Sequence, residues 1–356
     1  MVAAPPLTAE RLLRTLEWRV VRPLDGRLQG DYRSLFTGGG LDFTDLREYE
    51  PGDDPRHIEW NVTARLDTPW VRQYVESREL TAWLLLDHSA SMAFGPVDRQ
   101  KSLVLAEVAT TLAHVLTRGG NRVGAVVLDR DVERVIPPAQ GRVQVLRIAE
   151  ALLAQRRAAA DRDERDSDAG GESGHTGRTG RADRSAVGPT GWLARRRQRR
   201  DRRAAARAGA DTDRARSSTD LAVLLRAASG LARRRSLVIV VSDFITAPGW
   251  EPHLGRLAQR HDVVAIQVTD PRELDLPDAG AVYVEDAETG EQIFVDTSDP
   301  GFRARLRAAA DRRQAEIAAA TARSGVELYR VGTDDDLVRS LVRIASLRRR
   351  RRRGPR

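Results

Sequence analysis

Five oxygen-bearing side chains in this sequence could together bind a metal ion. They are two aspartates, two serines and one threonine: Asp87, Ser89, Ser91, Thr219 and Asp243. Each lies where we expect a strand to end or a helix to begin, which is where open α/β sheets bind their ligands. Two carboxylates and three hydroxyls form an all-oxygen set, which suits Mg²⁺ or Mn²⁺ rather than zinc or copper. The sequence therefore predicts a magnesium site.

The local sequence explains how each of these residues could face a cation. Asp87 ends the apolar run of LLLDHSASM, and the one-residue spacing of Ser89 and Ser91 lets both hydroxyls turn toward a cation beside it. Thr219 is predicted to cap a helix, where its hydroxyl is already oriented. Asp243 follows the apolar run of VIVVSDF. Because Mg²⁺ takes six oxygens, five such ligands leave a position for an acidic side chain of another protein.

Strands and helices alternate from residue 80 onward, which predicts an α/β fold with a doubly wound, mainly parallel sheet. Strands are predicted at 80–86, 123–128, 133–136, 236–241, 263–268 and 326–331, with a hairpin at 281–284 and 292–295. Helices are predicted near 7–20, 98–118, 143–153, 219–233, 250–260, 301–323 and 334–347. Too few residues separate the second and third strands for a parallel crossover, so we expect one antiparallel edge strand.

The composition divides the chain into four parts. Residues 1–79 hold a short helix and an irregular or β segment, and residues 80–347 hold the α/β domain. Within that domain, residues 155–216 contain 17 Arg and 10 acidic residues and are predicted to be a disordered, charged insertion. Residues 348–356 contain 7 Arg and form a basic tail. The remaining body is mildly acidic, which argues against specific binding of nucleic acid by the folded surface.

Three absences in the sequence narrow the possible classes of protein. The chain has no cysteine, which excludes disulfides, zinc thiolate sites, iron–sulfur clusters and thiol catalysis. Its first residues include acidic side chains and no apolar core, so they do not resemble a signal peptide. No apolar run is long enough to cross a bilayer. We therefore expect a cytoplasmic protein, in which peripheral membrane contact through the basic tail could still occur.

The five candidate ligands, in this order, resemble the metal-ion-dependent adhesion site of von Willebrand factor A domains. In that family the two serines and the threonine coordinate the cation, and the aspartates act directly or through water. The antiparallel strand predicted at 133–136 is similar to the edge strand of the same fold. The resemblance implies a fold of von Willebrand A type and a bound Mg²⁺ or Mn²⁺.

A second resemblance concerns the segment Gly38–Arg65, which contains GLDFTDLREYEPGDDPRHIEWNVTAR. It resembles the signature of domain-of-unknown-function family 58, whose members carry it ahead of a von Willebrand A-like domain. Genes for such proteins usually lie beside those of MoxR-type AAA+ ATPases. The candidate partner-binding residues in this signature are Arg47, Tyr49, Asp53, Asp54, Arg56, Trp60 and Arg65. The alternative is a structural salt-bridge network with Trp60 in the core.

Three functions are compatible with these patterns. The first, implied by both resemblances, is a non-enzymatic, Mg²⁺-dependent protein-binding module. It would capture an acidic side chain of a client protein and act with a MoxR-type ATPase in maturing or remodelling protein complexes. The second is a metal-dependent phosphoesterase or nuclease that uses Asp87 and Asp243. The third is an RNA-binding von Willebrand A module that uses the basic segments 155–216 and 348–356.

Overall fold

The computed structural model describes residues 7–24, 45–50, 58–66, 68–73, 80–95, 99–129, 131–170, 219–285 and 292–352. Its strands are β1 (Asp45–Glu48), β2 (Trp70–Gln73), β3 (Thr81–Asp87), β4 (Arg122–Leu128), β5 (Val132–Ala139), β6 (Leu237–Ser242), β7 (Asp262–Thr269), β8 (Ala281–Glu285), β9 (Gln292–Asp296) and β10 (Glu327–Gly332). Its helices are α1 (Ala9–Leu16), α2 (Trp60–Leu66), α3 (Lys101–Arg118), α4 (Gly141–Gly170), α5 (Leu221–Leu231), α6 (Glu251–Arg260), α7 (Pro271–Leu274), α8 (Pro300–Arg323) and α9 (Leu337–Arg352). A π-helical turn at Glu17–Val21 continues α1.

Six strands form the main sheet in the order β10-β7-β6-β3-β4-β5. All neighbouring pairs are parallel except β4 and β5, which are antiparallel. The prediction of a mainly parallel α/β sheet with one antiparallel edge strand is therefore confirmed. The inner strands read as continuous apolar runs because both faces of a parallel sheet are covered, and every residue of β6 is buried.

Helices cover both faces of this sheet, and alternate strand residues point into two separate cores. On one face Ala82, Leu84 and Leu86 of β3 pack with apolar side chains of α1, α3, α4 and α9. On the other face Trp83 and Leu85 pack with α5, α6 and the last turns of α8. The period-2 alternation of a strand accounts for this division. The result is a three-layer sandwich with the strand ends open to ligands.

Two small β units lie outside the main sheet. Strands β1 and β2 pair in antiparallel fashion, and Ile58 forms an isolated antiparallel bridge with Val71 of β2. Strands β8 and β9 form the predicted hairpin, in which the rings of Tyr283 and Phe294 lie 5.1 Å apart. Both rings remain largely exposed to solvent.

The structure differs from the sequence predictions at both basic segments. Helix α4 continues to Gly170, inside the segment 155–216 that was expected to be disordered; residues 171–218 lie outside the described residues. Helix α9 continues to Arg352, inside the expected tail. Arg348 is 3% exposed and donates to Asp262 Oδ2 at 2.5 Å, so it belongs to the folded domain. Within the described ranges, no helix is both long and apolar enough to cross a membrane.

Candidate metal centre

Strands β3 and β6 are neighbours, and their carboxyl ends bring the two candidate aspartates together. Leu86 pairs with Val241 in the parallel register, so Asp87 and Ser242 are the next residues on each strand. The Ser242 hydroxyl donates a hydrogen bond of 2.6 Å to Asp87 Oδ2. Asp243 follows directly, and its charge raises the pKa of Asp87. The two carboxylates therefore lie close enough to repel each other.

The loop after β3 holds both candidate serines beside Asp87. The backbone N–H of Ser89 donates to Asp87 Oδ1 at 3.1 Å. The hydroxyl oxygens of Ser89 and Ser91 lie 3.1 Å apart, and a short 3₁₀ turn at Ala90–Ala93 fixes this spacing. Both serines are buried. The expected convergence of two hydroxyls near this carboxylate is present in the structure.

The backbone after β6 is held in an unusual conformation that orients Asp243. Ile245 N–H donates to Asp243 Oδ1 at 2.8 Å, which leaves Oδ2 for another partner. Phe244 has a φ of 60°, the only positive φ among the described non-glycine residues. Its N–H donates to the Ser242 hydroxyl at 2.8 Å. A bulky residue in this region stores strain, which is most common at functional sites.

Thr219 is anchored to this same loop through its backbone. Its carbonyl oxygen accepts hydrogen bonds from the Thr246 hydroxyl at 2.6 Å and from Ala247 N–H at 3.1 Å. The predicted capping role was wrong, because Asp220 is the N-cap of α5 and accepts from Ala222 N–H at 2.8 Å. Thr219 lies one residue before the cap and is buried. All five candidate ligands thus belong to one edge of the sheet.

Lys101 is a member of this site that the sequence reasoning missed. Its side chain is fully buried and lies between Asp243, whose Oδ2 is 2.7 Å from the ammonium, and Glu273 of α7, which is also in hydrogen-bonding contact. Burial alone would lower the pKa of Lys101, but the two carboxylates outweigh burial and raise it. The sequence contains one indication that this residue is special: Lys101 is the single lysine, and the other residues among the 59 lysines and arginines are all arginine.

The surroundings of the Asp87 carboxyl group disfavour its ionisation. Its hydrogen bonds come from neutral donors on Ser242 and Ser89, and among the described residues no cationic side chain pairs with it. Burial, followed by the negative charge of Asp243, raises the pKa of Asp87 to about 6. Burial also raises the pKa of Glu273, although Lys101 opposes that shift. A cation beside Asp87 would stabilise its charged form.

The charges and donor types of this cluster fit one divalent cation. Three carboxylates, those of Asp87, Asp243 and Glu273, and one ammonium carry a formal charge of −2 when all are ionised. In the part of the chain that the structure describes, no group of three or more His, Cys, Asp or Glu side chains is arranged to hold a metal. A cation here would therefore need the serine and threonine hydroxyls as well, and such oxygens suit Mg²⁺.

An open cleft gives solvent access to two acidic members of the cluster. It has a volume of about 250 Å³ and lies between the ends of β6 and β7 and the middle of α8. Asp243 and Glu273 line it on the side of the sheet. Leu306, Ala310 and Ile317 of α8 line the opposite wall. Asp87, Ser89, Ser91 and Thr219 do not line this opening, so it reaches the cluster on the side of Asp243 and Glu273.

The signature segment forms its own local unit. Tyr49 N–H bonds to Pro69 O at 2.8 Å, and Glu59 N–H bonds to Trp70 O at 2.7 Å, so these contacts join β1, β2 and α2 to one another. Trp60 is 68% exposed, so the alternative that placed it in the core is wrong. Arg65 is exposed in the last turn of α2, and Arg47 lies opposite Val71 in the β1–β2 ladder. Three further candidates lie outside the described residues: Asp53, Asp54 and Arg56.

Solved structures with similar chains include two from Bacteroides species. The conserved hypothetical protein BatB from Bacteroides thetaiotaomicron has a TM-score of 0.38 and 14% identity, over 76% of this chain and 99% of its own. An aerotolerance-related membrane protein from Bacteroides fragilis has a TM-score of 0.37 and 12% identity, over 76% of this chain and all of its own.

Sequence comparison gives similar chains from mycobacteria. Uncharacterized proteins of Mycobacterium tuberculosis and Mycobacterium bovis are each 31% identical over 338 residues, which cover 95% of this chain and 89% of theirs. An uncharacterized protein of Mycobacterium avium is 37% identical over 131 residues, which cover 37% of this chain and 77% of its own. Residues 45–181 and 190–316 match the family "Protein of unknown function DUF58", and the chain belongs to that family.

Proposed function

We propose that this chain is a non-enzymatic, Mg²⁺-dependent protein-binding module of von Willebrand A type. In this proposal Asp87, Ser89, Ser91, Thr219 and Asp243 hold the cation, and an acidic side chain of a partner completes its coordination. The observation that carries the proposal is the fully buried Asp87 carboxyl, which lies beside a second carboxylate and, among the described residues, accepts hydrogen bonds from neutral groups alone. A divalent cation supplies the positive charge that this arrangement needs.

The partner class follows from the family resemblance. A MoxR-type AAA+ ATPase is the proposed partner, in the cytoplasm, and the pair would mature or remodel other protein complexes. The signature residues, with Tyr49, Trp60 and Arg65 as examples, would offer a second contact surface. The high exposure of Trp60 supports this role, because aromatic side chains are enriched at protein interfaces.

A capture experiment from cell lysate tests the proposal. The bait is the full chain or its Asp87→Ala/Ser89→Ala variant, with Mg²⁺ or with EDTA; Asp311→Asn, an exposed change on α8, is the matched control. We expect an AAA+ ATPase only with metal-loaded wild type and with the control. If the ATPase is recovered equally with Mg²⁺ or EDTA and with wild type or the double variant, the metal-dependent mechanism is contradicted. Phosphodiester turnover that is lost in Asp87→Ala would replace the proposal with the enzyme alternative.

A further inference from the structure

Lys101 has a position that a stability argument alone does not explain. A lysine is almost never fully buried unless it is paired, because removing its charge from water is costly. Every other basic residue of this chain is arginine. An arginine at this position would bring a wide, planar group with five donors, whereas lysine brings one compact charge. The compact charge fits between the carboxylates of Asp243 and Glu273.

The ammonium of Lys101 occupies the Asp243 oxygen that the backbone leaves open. Asp243 Oδ1 accepts from Ile245 N–H, while Oδ2 accepts from Lys101. Glu273 is fixed on the other side, because it belongs to a capping box with Asp270 at the start of α7. Lys101 itself begins α3, which is packed against the sheet. Both ends of the ion-pair chain are therefore anchored.

We propose that Lys101 is a built-in cation that competes with the divalent ion for Asp243 and so weakens and regulates its binding. This inference rests on the proposed function to the extent that both place the divalent ion at the same carboxylates. Without the metal, Lys101 compensates the charge of Asp243. With the metal, the ammonium gives up Asp243 Oδ2 and keeps Glu273. Its role is to set the affinity of the site, since it donates no electron pair to the metal.

The charge of the cluster can be varied by substitution in both directions. Lys101→Met keeps the length of the side chain and removes one positive charge, whereas Glu273→Gln removes one negative charge. The double variant restores the original charge. A unit charge a few ångströms from a bound cation changes its affinity strongly even at an effective dielectric constant of about 20. We expect Mg²⁺ and Mn²⁺ to bind about 10- to 100-fold more tightly to Lys101→Met, about as tightly as to wild type in the double variant, and more weakly to Glu273→Gln.

Calorimetric titration of the purified full chain with each metal, near pH 8, measures this order. Tighter metal binding to Lys101→Met than to wild type supports the competition. If Lys101→Met binds metal and wild type binds none at all, the proposed function is refuted and the competition is still supported. The inference is overturned if Lys101→Met binds metal no more tightly than wild type, or not at all. In that case the proposed function still stands, provided that wild type binds metal. Melting temperatures in EDTA identify any variant that fails to fold. If one does, the measurement on the wild-type protein described next tests the competition instead.

A second measurement observes Lys101 directly in the wild-type protein. Protein labelled with ¹⁵N-lysine carries one side-chain ammonium signal, because the chain has one lysine. We expect a Mg²⁺ titration to shift that signal, and the same titration to leave it unchanged in Asp87→Ala. The competition would be overturned if the ammonium signal of Lys101 did not shift on addition of Mg²⁺ although calorimetry showed that Mg²⁺ binds.

Discussion

Replacing Asp87 by asparagine should stabilise the metal-free protein, although it removes a candidate metal ligand. The amide has the shape of the carboxyl group, so its oxygen can still accept from Ser89 N–H and its NH₂ can donate to the Ser242 hydroxyl. What it removes is a buried negative charge beside Asp243. The substitution therefore separates the cost of this charge in the metal-free protein from its use in binding a cation.

The expected size of this effect follows from the pKa of Asp87. A shift from 3.8 to about 6 corresponds to about 3 kcal/mol of unfavourable ionisation above pH 6, at about 1.4 kcal/mol per unit. The amide leaves one hydroxyl proton without its acceptor, which costs about 1 kcal/mol. The net gain for Asp87→Asn in EDTA is then about 2 kcal/mol, or about 4–8 °C in melting temperature for a domain of this size.

The pH dependence has a defined sign. Because the pKa of Asp87 is raised in the folded state, the contribution of this group to stability is full below pH 3.8 and is lost as the pH rises to about 6. Wild type should therefore lose stability relative to Asp87→Asn across that range. Free energies of unfolding from urea titrations at several pH values, in EDTA, measure the difference between the two proteins.

Metal addition should reverse the order of the two proteins. A ligand present at about 100 times its dissociation constant stabilises the folded state by about 2.7 kcal/mol, and we expect this gain for wild type but not for Asp87→Asn. Asp311→Asn serves as a control that should follow wild type. A lower melting temperature of Asp87→Asn in EDTA would refute the assigned cost of the buried charge. An equal response to Mg²⁺ would remove Asp87 from the metal site.

Three further substitutions test other parts of the structure. Lys101→Arg should lower the free energy of unfolding by about 2–4 kcal/mol, because a guanidinium does not fit the buried position; a neutral result in urea titration would contradict this. Arg348→Met should cost about 1–3 kcal/mol through loss of the pair with Asp262, and an unchanged denaturation midpoint would place Arg348 in the solvated tail instead. Trp60→Ala should change stability by less than about 0.5 kcal/mol while reducing partner capture, so full capture would exclude this side chain from the interface.

The main sheet could be predicted from sequence because its signals are local and strong. Each inner strand is a continuous apolar run, and the short link before β5 permits only an antiparallel pair. The convergence of Asp87 and Asp243 followed from the rule that ligands bind at the carboxyl ends of parallel strands. Their positions next to each other also required β3 and β6 to be neighbours, which became visible only in the strand order.

Three features of the site and of the last helix could not be predicted, because the sequence around them is equally compatible with another arrangement. Thr219 and Asp220 are both residues that commonly cap helices. In the structure Asp220 is the N-cap of α5, and the backbone carbonyl of Thr219 accepts a hydrogen bond from the loop after β6. Arg348 begins a run of arginines that looks like a solvated tail, yet α9 places it over Asp262. Lys101 is the first residue of an amphipathic helix, where a cation is ordinarily exposed. Its burial depends on two carboxylates more than a hundred residues away.

The unique, fully enclosed lysine also determines how this protein responds to amine chemistry. Acylating reagents, amine-directed cross-linkers and enzymes that conjugate groups to lysine find no side-chain amine on the folded surface, because the only one is buried against Asp243. Any lysine-directed label on this chain would therefore report that the sheet edge had opened. The rate of acylation at this position is a direct, site-specific measure of local unfolding at the candidate metal centre.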